Sequence, residues 1–599
     1  MRVLRALPRM MFLAVEPGDR YRVLQRSCRL PEPLIQRVWA VRRTFPNRVR
    51  ILSKGRRLEM GAPLQALQDA RSPGARRCRG VKMDDAGDIN LIAAGTAGQT
   101  APGSKPGRKA VVVGGGFGGL ALAVRLQSAG ISTTLVEARD KLGGRAYVYE
   151  QDGFTFDAGP TVITDPSSLE ELFALSGRQL SDYVTLLPVE PFYRLMWEDG
   201  RQFDYVNDQT ALDAQITAFN PNDVAGYQRF FAYSKAAFDE GYLKLGHVPF
   251  LDFKSMLMAA PKLAQMQAWR SVYDTVAGFI EDEHLRQAFS FHTLLVGGSP
   301  FAVSSIYALI HALERKWGVW FPKGGTGALV QGLARLFTDL GGEIRLSSPV
   351  DEITTRGLRA TGVRLVDGEM LEADLVASNA DIVHTYGKLL RHHARGRTEA
   401  TSLKTKRFSM SLFVIYFGVK KTYEGLRHHT ILFGESYREL VSAICGAEPL
   451  RADFSLYLHA PTVTDPNLAP DGCTGFYVLA PVPNLKQDID WETESGPYAD
   501  RILDALEKRL LPGLRENLVT QRVFSPFDFR GELNAHLGSA FSLEPILTQS
   551  AWFRAHNRDD MIRNLYVVGA GTHPGAGVPG VVGSAKATAS VILADVAKA

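Results

Sequence analysis

At 599 residues the chain is too long for one ordinary core, and a hydrophobic share of 45% excludes a disordered or fibrous protein. The formal charge of +6 suggests nucleic acid, but residues 1–82 carry 20 Lys and Arg against 5 Asp and Glu, while the rest carries 49 against 58. The body is therefore acidic, which argues against a nucleic-acid partner. Four cysteines, Cys28, Cys78, Cys445 and Cys473, with no C-x-x-C among them, exclude a disulfide scaffold, indicate no metal site and suit a reducing compartment.

Residues 1–108 read as a basic leader and a Gly/Pro linker, either disordered or an over-extended start, with no chemistry assigned. The apolar run from Met10 to Val15 is too short for a secretory signal, and Ser27, Ser53 and Ser72 are too few serines for a transit peptide. Ala110 to Val113 then reads as a strand that runs into Gly114, Gly116 and Gly119, spaced as G-x-G-x-x-G. A helix is expected from Gly118 to Ala129, and a second strand from Thr133 to Val136, ending at Glu137. In such a βαβ unit Gly114 permits the tight turn, Gly116 lets backbone approach a pyrophosphate, and Gly119 allows close helix–strand packing. The helix N-terminus favours an anion, and Glu137 is placed to accept hydrogen bonds from ribose hydroxyls.

Further along, Phe250, Leu251, Phe253, Met256, Leu257 and Met258, followed by Lys262, Trp269 and Arg270, have the makings of an interfacial helix; an ordinary helical core is the competing reading. No run reaches the 18 or so apolar residues of a membrane span. Glu281 to Arg286 reads as a solvated helix face. Gly324 to Leu329 opens a helix that leads to a strand at Glu343 to Leu346. The pairs His392-His393 and His428-His429 read as loop histidines rather than ligands, because neighbours at i, i+1 point apart. Ser411–Val419, Thr430–Phe433, Phe454–His459 and Phe476–Val482 read as strands of a second sheet. Near the end, Val568 to Gly577 is a second glycine-rich segment, and Pro579 and Gly580 introduce a helix from Val581 onward.

The text from Glu137 through Gly143-Gly-Arg145 to Phe154-Thr-Phe-Asp-Ala-Gly-Pro160, with Trp317-Gly-Val-Trp-Phe-Pro322 and Gly569-Ala-Gly-Thr-His-Pro-Gly575, resembles the amine oxidase and phytoene desaturase superfamily. Within it the bacterial phytoene desaturases are the nearest match, and the resemblance runs from about Lys109 to the C-terminus. It implies an α/β fold: a Rossmann-like FAD-binding domain discontinuous in sequence (109–190, 316–385 and 556–599), a substrate domain with a helical, membrane-facing subdomain (191–315), and the mixed sheet of that substrate domain (386–555). It carries Gly114, Gly116, Gly119 and Glu137 to the ADP moiety, Gly144 and Arg145 to the pyrophosphate, Val350 to the adenine, and Gly571, Gly580 and Val581 to the flavin side. The implied activity is FAD-dependent desaturation of phytoene, through partly desaturated carotenes, to neurosporene or lycopene. The implied setting is cytoplasmic and peripheral to a membrane surface, with oxygen or a quinone as electron acceptor. No catalytic residue is assigned; His573 is read as ordering backbone. The competing functions are another carotenoid flavoenzyme (ketolase, oxygenase or isomerase), an amine oxidase, and a non-enzymatic prenyl-lipid carrier of the GDP-dissociation inhibitor type.

Overall fold

In the computed structural model, which describes residues 107–446 and 453–598, the apolar strand Lys109–Val113 is the middle of a five-stranded parallel sheet. The sheet order is Leu565–Val567, Leu375–Ser378, Lys109–Val113, Ser132–Val136, Glu343–Arg345. Parallel strands need crossover connections that cover both faces, so the inner strands Lys109–Val113 and Leu375–Ser378 are mostly apolar and buried, while the edge strand Glu343–Arg345 is not. The helix Phe117–Ser128 crosses from the first strand to the next and is buried along ten of its twelve residues. It lies between two others, Thr326–Asp339 and the C-terminal Val578–Lys598. This sheet thus draws on three distant stretches of chain, as the resemblance implies. The basic leader lies outside the described residues.

The second sheet is mixed, with the order Leu518–Phe524, Ser411–Val419, Thr474–Val482, Leu456–His459, His429–Leu432, Tyr193–Met196, Gln202–Tyr205. All its neighbours are antiparallel except His429–Leu432 beside Tyr193–Met196. Side chains of a strand alternate between faces, and the division is visible here. Phe413, Ile415 and Phe417 pack on the helix Trp491–Arg509. Val414, Tyr416, Tyr457 and Tyr477 face the helical subdomain of residues 209–317.

Two expectations are corrected. Residues 386–404 do not belong to the substrate sheet: Leu389, Leu390, Ala400 and Leu403 pack with Val111, Val376 and Leu565 against the parallel sheet. His429 is not a loop histidine but the first residue of the strand His429–Leu432; His428 does lie in the loop before it, and both are buried and meet His459 of the adjoining strand. The i, i+1 argument holds within a strand, but His428 directly precedes the strand His429–Leu432, where the chain is free to turn.

Among the described residues one helix, Val578–Lys598, is long and apolar enough to cross a membrane. Here Ser584, Ala585, Ala587 and Thr588 are fully buried, and the helix packs on Phe117–Ser128 as a core element.

Candidate active site

A single cavity of about 730 Å³ begins at the glycine loops of the parallel sheet and continues between the helical subdomain and the second sheet. That volume is within the range of small-molecule and cofactor sites. Eight of the ten residues singled out in the sequence line it: Gly114, Gly116, Glu137, Gly144, Arg145, Val350, Gly580 and Val581. The other two stand behind the wall. A Cβ on Gly119 would lie 2.0 Å from the Gly114 carbonyl oxygen, so only glycine lets helix and strand approach this closely. A Cβ on Gly571 would lie 2.9 Å from Ile382, which makes Gly571 a packing position rather than a lining one.

The first helix begins at Phe117 with no side-chain cap and no acidic residue in its first turn, leaving its N-terminal N–H groups without side-chain partners. The Glu137 carboxylate accepts from the backbone N–H of Gly115 at 2.6 Å and of Arg139 at 3.0 Å, and thereby fixes the glycine loop. Its carbonyl accepts from Ser348 N–H at 2.8 Å, which brings Val350 to the same end of the cavity. Gly143 N–H donates to Gly115 O at 2.9 Å, so the two glycine-rich loops face each other. Beside them Arg145 donates to the carbonyls of Ala540 and Ser539, at 2.6 and 3.2 Å, and so joins the two halves. Burial lowers its affinity for its proton, and Asp381 acts in the opposite sense.

The closing wall runs from Ala570 to Val581. Its helix starts at Val578, earlier than the sequence reading of Val581, with Pro579 in the first turn and no acid there. His573 is bonded through Nε2 to the Leu245 carbonyl at 2.8 Å, and burial lowers its pKa to about 4. A neutral imidazole that anchors backbone agrees with the ordering role expected of it. The Asp157 carboxylate of the Asp-Ala-Gly-Pro motif accepts from the N–H groups of Thr326 and Gly327, at 2.8 and 3.1 Å, tying the motif to the next crossover helix.

These residues fit FAD. Two helix N-termini bare of acids suit phosphate and the negative charge of reduced flavin, and glycines at the cradle leave room where a Cβ would intrude. The Glu137 end suits the ribose and the Ala570–Val581 end the flavin ring.

Sequence reasoning missed three features. Arg554 is 3% exposed and donates to the carbonyls of Ala570, Leu543 and Gln549 at 2.6, 3.1 and 3.4 Å; no carboxylate pairs with it among the described residues. It lies directly behind Gly575 of the closing wall. Glu314 and His292, both buried, meet at 3.0 Å, and Glu314 lines the cavity. The third is a buried cluster in which His428 and His459 are bonded at 3.0 Å, His429 bonds Tyr457 at 2.7 Å, and His428 bonds Thr464 at 2.6 Å. Burial pushes the His428 pKa down to about 3 and holds His429 and His459 well below the usual histidine range. For Glu314 the sequence carries a misleading signal: Glu314-Arg-Lys316 looks like a solvated run.

Residues 117–593 match the family described as flavin containing amine oxidoreductase. The chain is 64% identical to a lycopene-forming phytoene desaturase of Pseudescherichia vulneris, over 82% of this chain and 99% of that protein. It is 44% identical to a neurosporene-forming phytoene desaturase of Rhodobacter capsulatus, over 81% of this chain and 94% of that one. In fold it is similar to an oxidoreductase from Methanosarcina mazei, with a TM-score of 0.56 at 18% identity, covering 81% of this chain and all of that one. By its flavin-oxidoreductase match and its identity to these relatives, the chain belongs to the phytoene desaturases of the flavin containing amine oxidoreductase family.

Proposed function

We propose that this chain is an FAD-dependent oxidoreductase that dehydrogenates phytoene in successive steps and ends at lycopene. The observation that carries the reading is the continuity of the cavity from the dinucleotide loops into an apolar chamber walled by side chains such as Leu294, Ile310, Leu412 and Phe433. Lycopene is favoured over neurosporene by the identity gap, 64% against 44%. FAD supplies the hydride acceptor. The protein's own share is to hold the dinucleotide through its loops, to exclude water, and to align a hydrocarbon that offers no polar handle.

Moving phytoene out of a bilayer through water is opposed by about 0.8 kcal/mol per CH₂, so the same reading has the enzyme in the cytoplasm, working against a membrane surface. The helix Phe253–Gln265 supports this. Phe253, Leu257 and Met258 are 48%, 57% and 75% exposed, and Trp269 just beyond is 66% exposed. Met256 and Leu263 of the same helix line the cavity, and Lys254, Lys262 and Arg270 supply positive charge beside it. An apolar edge with basic neighbours suits an anionic bilayer. Met258→Glu is expected to reduce co-sedimentation with anionic liposomes by at least about tenfold; unchanged sedimentation would remove the membrane from the proposal. Oxygen or a membrane quinone reoxidises the flavin.

The function itself is tested by expressing the chain in a bacterium that accumulates phytoene and chromatographing the pigments. Lycopene is the expected product. Unchanged phytoene beside stable, flavin-loaded protein would overturn the assignment.

A further inference from the structure

Four acidic side chains line the cavity: Glu137, Glu314, Asp381 and Glu532. Three are committed elsewhere. Both oxygens of Glu137 accept backbone N–H groups, and Glu532 is paired with Arg139 at 2.8 Å and Arg522 at 3.5 Å. Asp381 caps Ile382–His384 on the dinucleotide side, near Arg145.

Glu314 differs from these in position and in partners. It sits in the last turn of Leu309–Trp317, beside Leu309, Ile310 and Leu313 of the same helix, which also line the cavity. Its side chain is 1% exposed, and no Arg or Lys pairs with it among the described residues. Oε1 accepts from the Tyr193 hydroxyl at 2.7 Å. Oε2 lies 3.0 Å from His292 Nε2, yet off hydrogen-bond geometry, so Oε2 and both ring nitrogens of His292 are buried without a hydrogen-bond partner. A carboxyl group set in an apolar wall without a cation is costly. The Tyr193 hydroxyl occupies Oε1 only, and Oε2 is left with no donor.

We infer that Glu314 is the catalytic base of the desaturation, taking through Oε2 the proton that the hydrocarbon loses, with His292 as its positioning partner. The inference rests on the desaturase reading. In each desaturation one C–H bond breaks with its electron pair leaving as hydride to FAD, which is reduced by two electrons. On the adjacent carbon a second C–H bond breaks, its electron pair becomes the new π bond, and its proton binds Glu314 Oε2. The two carbons are oxidised, Glu314 becomes neutral, and no further reactant enters. Before proton transfer the carboxylate stabilises the positive charge left on carbon, in a water-poor site where such an interaction is strong.

The test uses the FAD-loaded full chain with phytoene in liposomes, under anaerobic conditions so that one reduction of flavin is followed. Glu314→Gln keeps the size of the side chain and the oxygen that faces Tyr193, but cannot take the proton. Its flavin content and melting temperature are expected to match wild type while flavin reduction slows at least about 100-fold, the usual scale of general-base catalysis. In Glu314→Asp the base is withdrawn by one carbon, and a deuterium isotope effect at the carbon that loses the proton is expected to grow. A purely structural role would move melting temperature and flavin content but not that isotope effect. A flavin-loaded Glu314→Gln enzyme reduced at the wild-type rate, or an isotope effect unchanged in Glu314→Asp, would overturn the inference. Wild-type enzyme that leaves phytoene untouched would instead overturn the desaturase reading.

Discussion

Around the glycine loops the cavity is walled by backbone and by Glu137 and Arg145. Deeper in, it is walled by leucine, isoleucine and phenylalanine side chains, with tyrosines and histidines set among and behind them. The first region leaves helix N-termini without side-chain partners, as a site for an anionic dinucleotide requires. In the second, most polar groups bond one another: Tyr205 to His311 at 2.8 Å, His311 to Tyr227 at 3.1 Å, Thr161 to Tyr477 at 2.6 Å. One cavity can therefore accept a charged cofactor at one end and a hydrocarbon at the other. It also follows that damage to the first region should show as lost flavin, and damage to the second as lost stability or turnover.

The largest effect on flavin content is expected at the join of strand and helix. Gly119→Val places a side chain against the Gly114 carbonyl, where even a Cβ would lie 2.0 Å away. Flavin per protein after gel filtration should fall at least about tenfold, or roughly 1.4 kcal/mol or more of binding; full flavin content would refute the close-packing account. Next comes Arg554, which holds the closing wall by three carbonyls. Arg554→Met leaves these buried acceptors without a donor and should cost about 2–3 kcal/mol in denaturant unfolding, together with part of the flavin. A change confined to flavin, with stability intact, would separate the wall from the fold.

The last effect is absent at neutral pH and appears only in acid. The buried histidines of the second region, His311, His428, His429 and His459, have folded-state pKa values depressed below the unfolded 6.5, to about 3 for His428. Between those limits the unfolded chain binds protons that the folded chain does not, so stability is complete above pH 6.5 and is lost as pH falls toward 3. Each histidine contributes a slope of up to about 1.4 kcal/mol per pH unit. His459→Gln should flatten the decline measured between pH 6.5 and 4.5 by about one such slope. An identical decline would mean that acid acts elsewhere.

The dinucleotide half was legible because its demands are local. The spacing of Gly114, Gly116 and Gly119, the apolar strands and the acid at Glu137 follow from backbone geometry within a few residues. The aromatic and β-branched runs at Ser411–Val419 and Phe476–Val482 were legible for the same reason, the second strand beginning two residues earlier, at Thr474. What stayed hidden depends on tertiary closure. Glu314 ends an amphipathic helix in a charged run, and only the packing of the 209–317 helices over the second sheet turns that side inward. Arg554 acquires its meaning when residues 570–575 fold back over it. His428 and His429 find His459 through strand pairing, which i, i+1 reasoning within one segment does not address.

The most direct test of the shared cavity is to mix FAD-loaded protein with phytoene liposomes in the absence of oxygen, and to follow the oxidised-flavin absorbance while the carotenes are chromatographed. The account predicts that the absorbance is lost and that one new double bond appears for each flavin reduced. Flavin that stays oxidised beside unchanged phytoene would contradict it.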